Sequence, residues 1–162
     1  MDVSIIMINY NTCQLTLNAI ESVQKETAGI EYELFLIDNN STDSSKEEFK
    51  KRYQNEKKIH LLFNEENLGT SKAFNRAAKS ATGKYVLWIN SDILLEENFI
   101  KKLFDFMEEN PSCGVCGGNL VDFNHNPTDS CFFEEMNLKS IKKEFSISHL
   151  LYLKTLGRKK GI

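Results

Sequence analysis

The feature that most constrains this chain is a repeated switch between two periodicities. Short apolar, β-branched runs at Val3–Ile8, Tyr32–Ile37, Ile59–Phe63 and Tyr85–Ile89 alternate with segments whose apolar residues recur at helical spacing. A continuous apolar run of this length reads as a strand buried on both faces. The helical segments carry Leu15, Ala19, Ile20 and Val23, then Phe49 and Tyr53, then Ala73, Ala77, Ala78 and Ala81. Asn11 with Gln14, and Ser44 with Glu47, have the spacing of capping boxes, and Thr82-Gly83 stops the third helix. Glu96–Glu109 predicts a fourth helix, with Phe99, Ile100, Leu103, Phe104 and Met107 on its inner face and Pro111 ending it. Strands alternating with helices of this length make βαβ units with right-handed crossovers. The expected class is α/β, a mostly parallel sheet flanked by helices.

Val115–Phe123 suggests a further strand, interrupted by Gly117-Gly118. From Asn124 the pattern weakens. Lys139–Lys160 holds six Lys and one Arg against Glu144 alone, beside Leu150, Leu151, Leu153 and Leu156. This predicts a basic, amphipathic C-terminal helical tail.

Composition excludes several classes. A net charge of −3 gives no general attraction for nucleic acid, so none is expected as a partner. Hydrophobic residues at 41% and charged residues at 27% fit a chain that buries an ordinary core. No apolar run approaches the ~20 residues of a membrane span, and no secretory leader pattern opens the chain. Cys13, Cys113, Cys116 and Cys131 are read as reduced thiols, which predicts a cytoplasmic location. Cys113 and Cys116 have the spacing of half a zinc site, but no second half follows.

In parallel sheets, ligands bind outside the carboxyl ends of the strands. The segments there are Asn9-Tyr10-Asn11, Asp38 to Asp43, and Asn90-Ser91-Asp92, all polar and expected at one rim. Asp38 has two readings: a carboxylate accepting a nucleobase N–H, or part of a self-bonded turn. Asp92 also has two: a ligand for Mg²⁺ or Mn²⁺ against a diphosphate, or a helix cap. Asn67-Leu68-Gly69, with Asn75 beyond, forms a loop before a helix starting near Thr70. Gly69 permits close backbone approach there. The Gly-rich phosphate-loop patterns are absent.

Together these segments resemble the nucleotide-sugar-binding region of the family 2 glycosyltransferases, from about Val3 to about Asp122. The opening strand through Tyr10-Asn11, Phe35–Asp43, Asn67-Leu68-Gly69 through Asn75, and Leu87–Asp92 stand in the family's order. The last segment occupies the place of its D-x-D motif. The Asp-Asn-Asn-Ser and Asn-Ser-Asp variants resemble the rhamnosyltransferase-like branch. The resemblance implies a GT-A-like, Rossmann-type sheet, with residues 1–123 as the nucleotide-sugar domain and 124–162 as linker and tail.

The resemblance also implies roles for individual residues. Asp38 binds the base, with Tyr10 and Asn11 bordering it. Asn67, Gly69 and Asn75 shape the loop beside ribose and sugar. Asp92 is the catalytic position, binding the divalent cation, Mn²⁺ or Mg²⁺, that bridges the diphosphate. Asn90 replaces the first acid of D-x-D and contacts the nucleotide-sugar.

The implied activity is sugar transfer from a nucleoside-diphosphate donor to a saccharide or lipid-linked acceptor, in cell-surface polysaccharide synthesis. An inverting transfer needs a carboxylate base, which in the family lies downstream of D-x-D. Here Glu134-Glu135 is the nearby acidic pair and reads as solvated helix charge. The chain is therefore expected to hold an incomplete catalytic domain, with a non-catalytic nucleotide-sugar-binding module as the alternative. A nucleotidyltransferase would want a Gly-rich opening loop, and Met1–Gln14 has no Gly. The basic tail predicts peripheral contact with the inner face of an anionic membrane.

Overall fold

The computed structural model describes residues 1–126 and 128. A compact unit spans Met1–Gly117, and a second runs from Gly118. The first contains four strands, β1 (Val3–Asn9), β2 (Tyr32–Asp38), β3 (Ile59–Phe63) and β4 (Tyr85–Trp88). Between and after them lie α1 (Cys13–Glu26), α2 (Ser45–Tyr53), α3 (Gly69–Ala78) and α4 (Phe99–Glu109). The sheet is ordered β3-β2-β1-β4 and every pairing is parallel. This is the predicted α/β architecture.

Strand periodicity divides the core into two layers, because successive side chains point to opposite faces. Val3, Ile5 and Met7 of β1, with Leu34 and Leu36 of β2, pack against Leu17, Ile20 and Val23 of α1, Phe49 of α2 and Ile100. Ile6, Phe35 and Ile37 point the other way, onto Ala73 and Ala77 of α3. The small alanines let α3 lie close to the sheet, which explains an Ala-rich helix on that face.

The α3–β4 turn crosses tightly over β1. A Cβ at Gly83 would stand 2.4 Å from the Ser4 backbone nitrogen, so only glycine fits. At this end of the strands a buried carboxylate ties four segments together. Glu33 accepts from the Ser4 hydroxyl at 2.7 Å and from the Thr82 amide and hydroxyl at 2.8 Å each. Its other oxygen lies 3.1 Å from Nε2 of His60, whose ring stacks on Phe35. Burial pushes the Glu33 carboxyl up, but the Ser4 and Thr82 donors and the His60 charge outweigh it and hold it below the usual range. A lowered carboxyl stabilises the fold above its unfolded value of ~4.3, and that share is lost as pH falls through the folded value. Glu33→Gln is therefore expected to lower the urea midpoint at pH 6 and to flatten its fall between pH 6 and pH 3. A variant curve parallel to wild type would contradict this.

Local boundaries depart from the sequence expectation in three places. Asn11 does not cap α1: it adopts a left-handed φ of 56° and its side-chain oxygen accepts the Thr42 amide at 2.7 Å, while Gln14 bonds Asn18. The helix begins at Cys13 after Thr12, without a side-chain cap bond. Likewise Ser44 stands at the cap of α2 without bonding it, and Asp43 takes the Ser45 amide instead. The fourth helix begins at Phe99, not Glu96. Asn98 is drawn out to the α1–β2 turn, exchanging two hydrogen bonds with Ala28.

The strand expected over Val115–Phe123 is not formed, apart from a single bridge residue at Val121. Val115 is 89% exposed and Phe123 91%, so no apolar face is buried to hold a strand there. In the second unit Asp122 closes a turn, accepting the amides of Asn124 and Asn126. The predicted tail, Lys139–Lys160, lies outside the described residues.

Candidate functional site

The carboxyl ends of the strands do gather their loops at one rim, and a hydrogen-bond network fixes them. Asn9, the last residue of β1, is fully buried. Its Nδ2 donates to Asp38 Oδ1 at 2.8 Å and to Ser41 Oγ at 2.9 Å. Its Oδ1 accepts from Thr12 at 2.9 Å and Thr16 at 2.7 Å. Thr12 also pairs with Ser91 at 3.2 Å. One amide thus links the loops after β1 and β2, and its threonine partner reaches the loop after β4. Asp43 adds a second tie between the first two loops, accepting the amides of Cys13 and Ser45. Burial raises its carboxyl, but these donors prevail and hold it below the usual range.

The loop after β3 is tied in through Asn39, which is 3% exposed. Its Oδ1 accepts from Asn64 Nδ2 at 2.8 Å and from the Leu68 amide at 3.1 Å. Its Nδ2 donates to Asn67 Oδ1 at 2.7 Å, which also accepts the Gly69 amide at 2.9 Å. Gly69 has φ of 71°, a left-handed turn that costs glycine nothing. Arg76 of α3 bonds Asn64 Oδ1 and the Phe63 carbonyl.

These loops enclose a cavity of about 430 Å³, on the α3 side of the sheet. Of the residues singled out from sequence, Tyr10, Asn67, Gly69, Asn90 and Asp92 line it together. Asp92 is exposed and, among the described residues, its carboxylate has no hydrogen-bond or ion-pair partner. It is the only carboxylate on the described cavity wall.

Three sequence-selected residues are not on that wall. Asp38 is 2% exposed, with Oδ1 taken by Asn9 and Oδ2 accepting the Ser41 amide at 3.1 Å. Its parity along β2 is that of Leu34 and Leu36, so it points to the α1–α2 face. Asn11 braces Thr42, and Asn75 is exposed on α3. Conversely, Ile8, Thr12, Asn39, Thr70, Trp88 and Ser91 line the cavity and were not selected. Trp88 is 49% exposed and leans on Phe74, ring centroids 5.3 Å apart. The missed signal is strand alternation: Trp88 shares a face with Asn90, and Ile8 with Tyr10.

Among the described residues no group of three or more His, Cys, Asp and Glu could hold a metal ion. Asp92 with the Asn90 amide remains compatible with Mg²⁺ or Mn²⁺. Such ions keep several waters and take one or two carboxylates, completing their shell with substrate phosphates. No helix among the described residues is long and apolar enough to cross a membrane.

Residues 4–157 match the model of Glycosyl transferase family 2. An uncharacterized glycosyltransferase of Methanocaldococcus jannaschii is 30% identical over 151 residues, covering 91% of this chain and 52% of that protein. The poly(ribitol-phosphate) beta-glucosyltransferase of Bacillus spizizenii is 30% identical, over 85% of this chain and 22% of that protein. Among solved structures, TarS of S. aureus superposes with a TM-score of 0.61 at 28% identity, over 68% of this chain and 33% of that one. TarS has been solved in complex with UDP and with UDP-GlcNAc. The chain spans about half the length of the M. jannaschii relative and less of the other two.

Proposed function

The chain belongs to glycosyl transferase family 2, and from that premise we propose that its cavity binds a nucleoside-diphosphate-sugar for transfer of the sugar to an acceptor. The observation that carries this reading is convergence. Tyr10, Asn67, Gly69, Asn90 and Asp92, from loops far apart in sequence, line one cavity at the carboxyl ends of parallel strands. The fold is GT-A-like, as in TarS.

In this reading Asp92 holds the cation at the diphosphate, and Asn90 contacts the nucleotide-sugar. Tyr10 offers a half-exposed aromatic face to the base. Asn67 and Gly69 form the wall beside ribose and sugar. Asn11 and Asp38 act from behind, by holding the loops on which Tyr10 and Asn39 sit. Asn75 lies beyond the wall on α3. The family generally uses a divalent cation, and when bound it supplies positive charge against the departing diphosphate.

The acceptor in this proposal is a saccharide or lipid-linked saccharide of cell-surface polymer synthesis, supported by the poly(ribitol-phosphate) relative. The Asp38-Asn39-Asn40-Ser41 and Asn90-Ser91-Asp92 variants support a rhamnosyl-type donor. The reduced-thiol reading of the cysteines supports a cytoplasmic site of action, and the Lys139–Ile162 composition supports contact with the inner membrane face. Sedimentation with anionic liposomes at low and high salt tests that contact; no pelleting at low salt removes it.

A second reading is a donor-binding module without turnover. It is favoured by the cavity wall holding Asp92 as its sole carboxylate among the described residues, with no separate base on that wall among them. A thermal-shift screen of UDP-, GDP- and dTDP-sugars, with and without Mn²⁺, tests the shared claim. Stabilisation by at least one of them, enhanced by Mn²⁺, is expected; none by any would refute donor binding. Donor hydrolysis measured on the same samples separates transferase from binding module.

A further inference from the structure

The geometry assigns Asn39 as a positioning residue: its buried amide clamps the Asn64–Gly69 loop into the shape that closes the donor cavity. The inference rests on the donor-binding reading of that cavity. Asn39 occupies the first position past β2, with the parity of Phe35 and Ile37, so its side chain emerges on the α3 face beside the cavity. A polar group this deeply buried is costly unless its hydrogen bonds are made. The side-chain bonds Asn39 makes go to one distant loop, to Asn64, Asn67 and Leu68, rather than to its own turn. Asn67 is on the cavity wall, and Leu68 precedes Gly69, which is also on it.

The clamp needs an amide at position 39. One side-chain atom accepts from two N–H groups while the other must donate to Asn67 Oδ1, which is already accepting from Gly69. A carboxylate in the same shape sets oxygen against oxygen at 2.7 Å. Flipping Asn67 would then set its NH₂ against the Gly69 amide. Protonating the carboxyl restores the missing donor. Charged groups on the elements around that position are Asp38, next in the chain, Arg76, across Asn64, and Glu65 and Glu66 within the clamped loop.

The test compares UDP affinity in Mn²⁺ for wild type and Asn39→Asp between pH 5 and 8, as a ratio at each pH. At pH 8 the variant is expected to bind at least tenfold more weakly, with the deficit shrinking as pH falls. In Asn39→Asp with Asn67→Ala the pH dependence of the ratio should disappear, because the opposing oxygen is gone. Equal affinity at pH 8, or a deficit that does not change with pH, would overturn the clamp.

A ligand-free measurement keeps the two claims apart. Hydrogen exchange at the Leu68 amide of Asn39→Ala should speed up at least tenfold, with β1 amides unchanged. If wild type binds no UDP, or Asn39→Asp does not fold, exchange decides the clamp; unchanged exchange at Leu68 overturns it. If Asn39→Ala itself does not fold, the affinity ratios decide it.

Discussion

Asp92→Ala is expected to abolish the Mn²⁺ enhancement of UDP binding while leaving the thermal transition of the free protein in place. Asp92 is exposed and makes no bond among the described residues, so its removal takes nothing from the core. It is also the only carboxylate on the described cavity wall, at the carboxyl end of β4 where a diphosphate would sit. Losing a charged contact costs roughly 1.5–3 kcal/mol, about ten- to a hundredfold in affinity. A helix cap lost from the same position would instead cost about 1 kcal/mol of stability. Calorimetric titration with and without Mn²⁺ distinguishes the two. An unchanged Mn²⁺ dependence, with a lowered melting temperature, would return Asp92 to a structural role.

Asn9→Ala should be the most damaging small substitution at the rim. It removes the donor to Asp38 and Ser41 and the acceptor of Thr12 and Thr16 in one step. Asp38 and Thr16 are buried, so water cannot replace the lost partners without opening the loops. Each orphaned buried group costs about 1–3 kcal/mol, so these two sum to roughly 2–6 kcal/mol against a typical total of ~5–15. Asn9→Asp does not rescue it, because a second carboxylate would face Asp38 at 2.8 Å. Urea denaturation checks the loss. A cost below about 1 kcal/mol would mean that the loops hold without this amide.

The centre of the sheet was legible because both faces of β1 and β2 are buried. β1 and β2 are apolar almost throughout, and α1 between them carries an apolar stripe at the right spacing. The rim was legible for the same reason: polar residues directly after apolar runs mark strand ends. Which rim residues face the cavity was not legible. Asp38 and Asn39 are adjacent polar residues after a run buried on both sides, so nothing in the sequence tells which face carries the open space. The structure puts Asp38 with Leu36 under α1 and α2, and Asn39 with Ile37 beside α3.

Trp88 could have been found by counting back two residues from Asn90, since the strand period fixes a shared face. Helix starts failed where a side chain had a better partner elsewhere. Asn11 reaches Thr42 and Asn98 reaches Ala28, and both are long-range contacts that local spacing does not encode. Val115–Phe123 has strand-like composition, yet it buries neither of its end residues, and composition without burial does not hold a strand.

The central claim is that donor diphosphate and cation meet at Asp92, between the loops after β1, β3 and β4. Paramagnetic broadening of backbone amide signals by substoichiometric Mn²⁺ in the presence of UDP tests it directly. The account predicts strongest broadening at Asn90, Ser91 and Asp92, weaker broadening at Tyr10 and Gly69, and sharp signals at Lys50 and His60 on the β3 edge. UDP-dependent broadening centred on the β3 edge, or bound UDP with no broadening at Asp92, would contradict it.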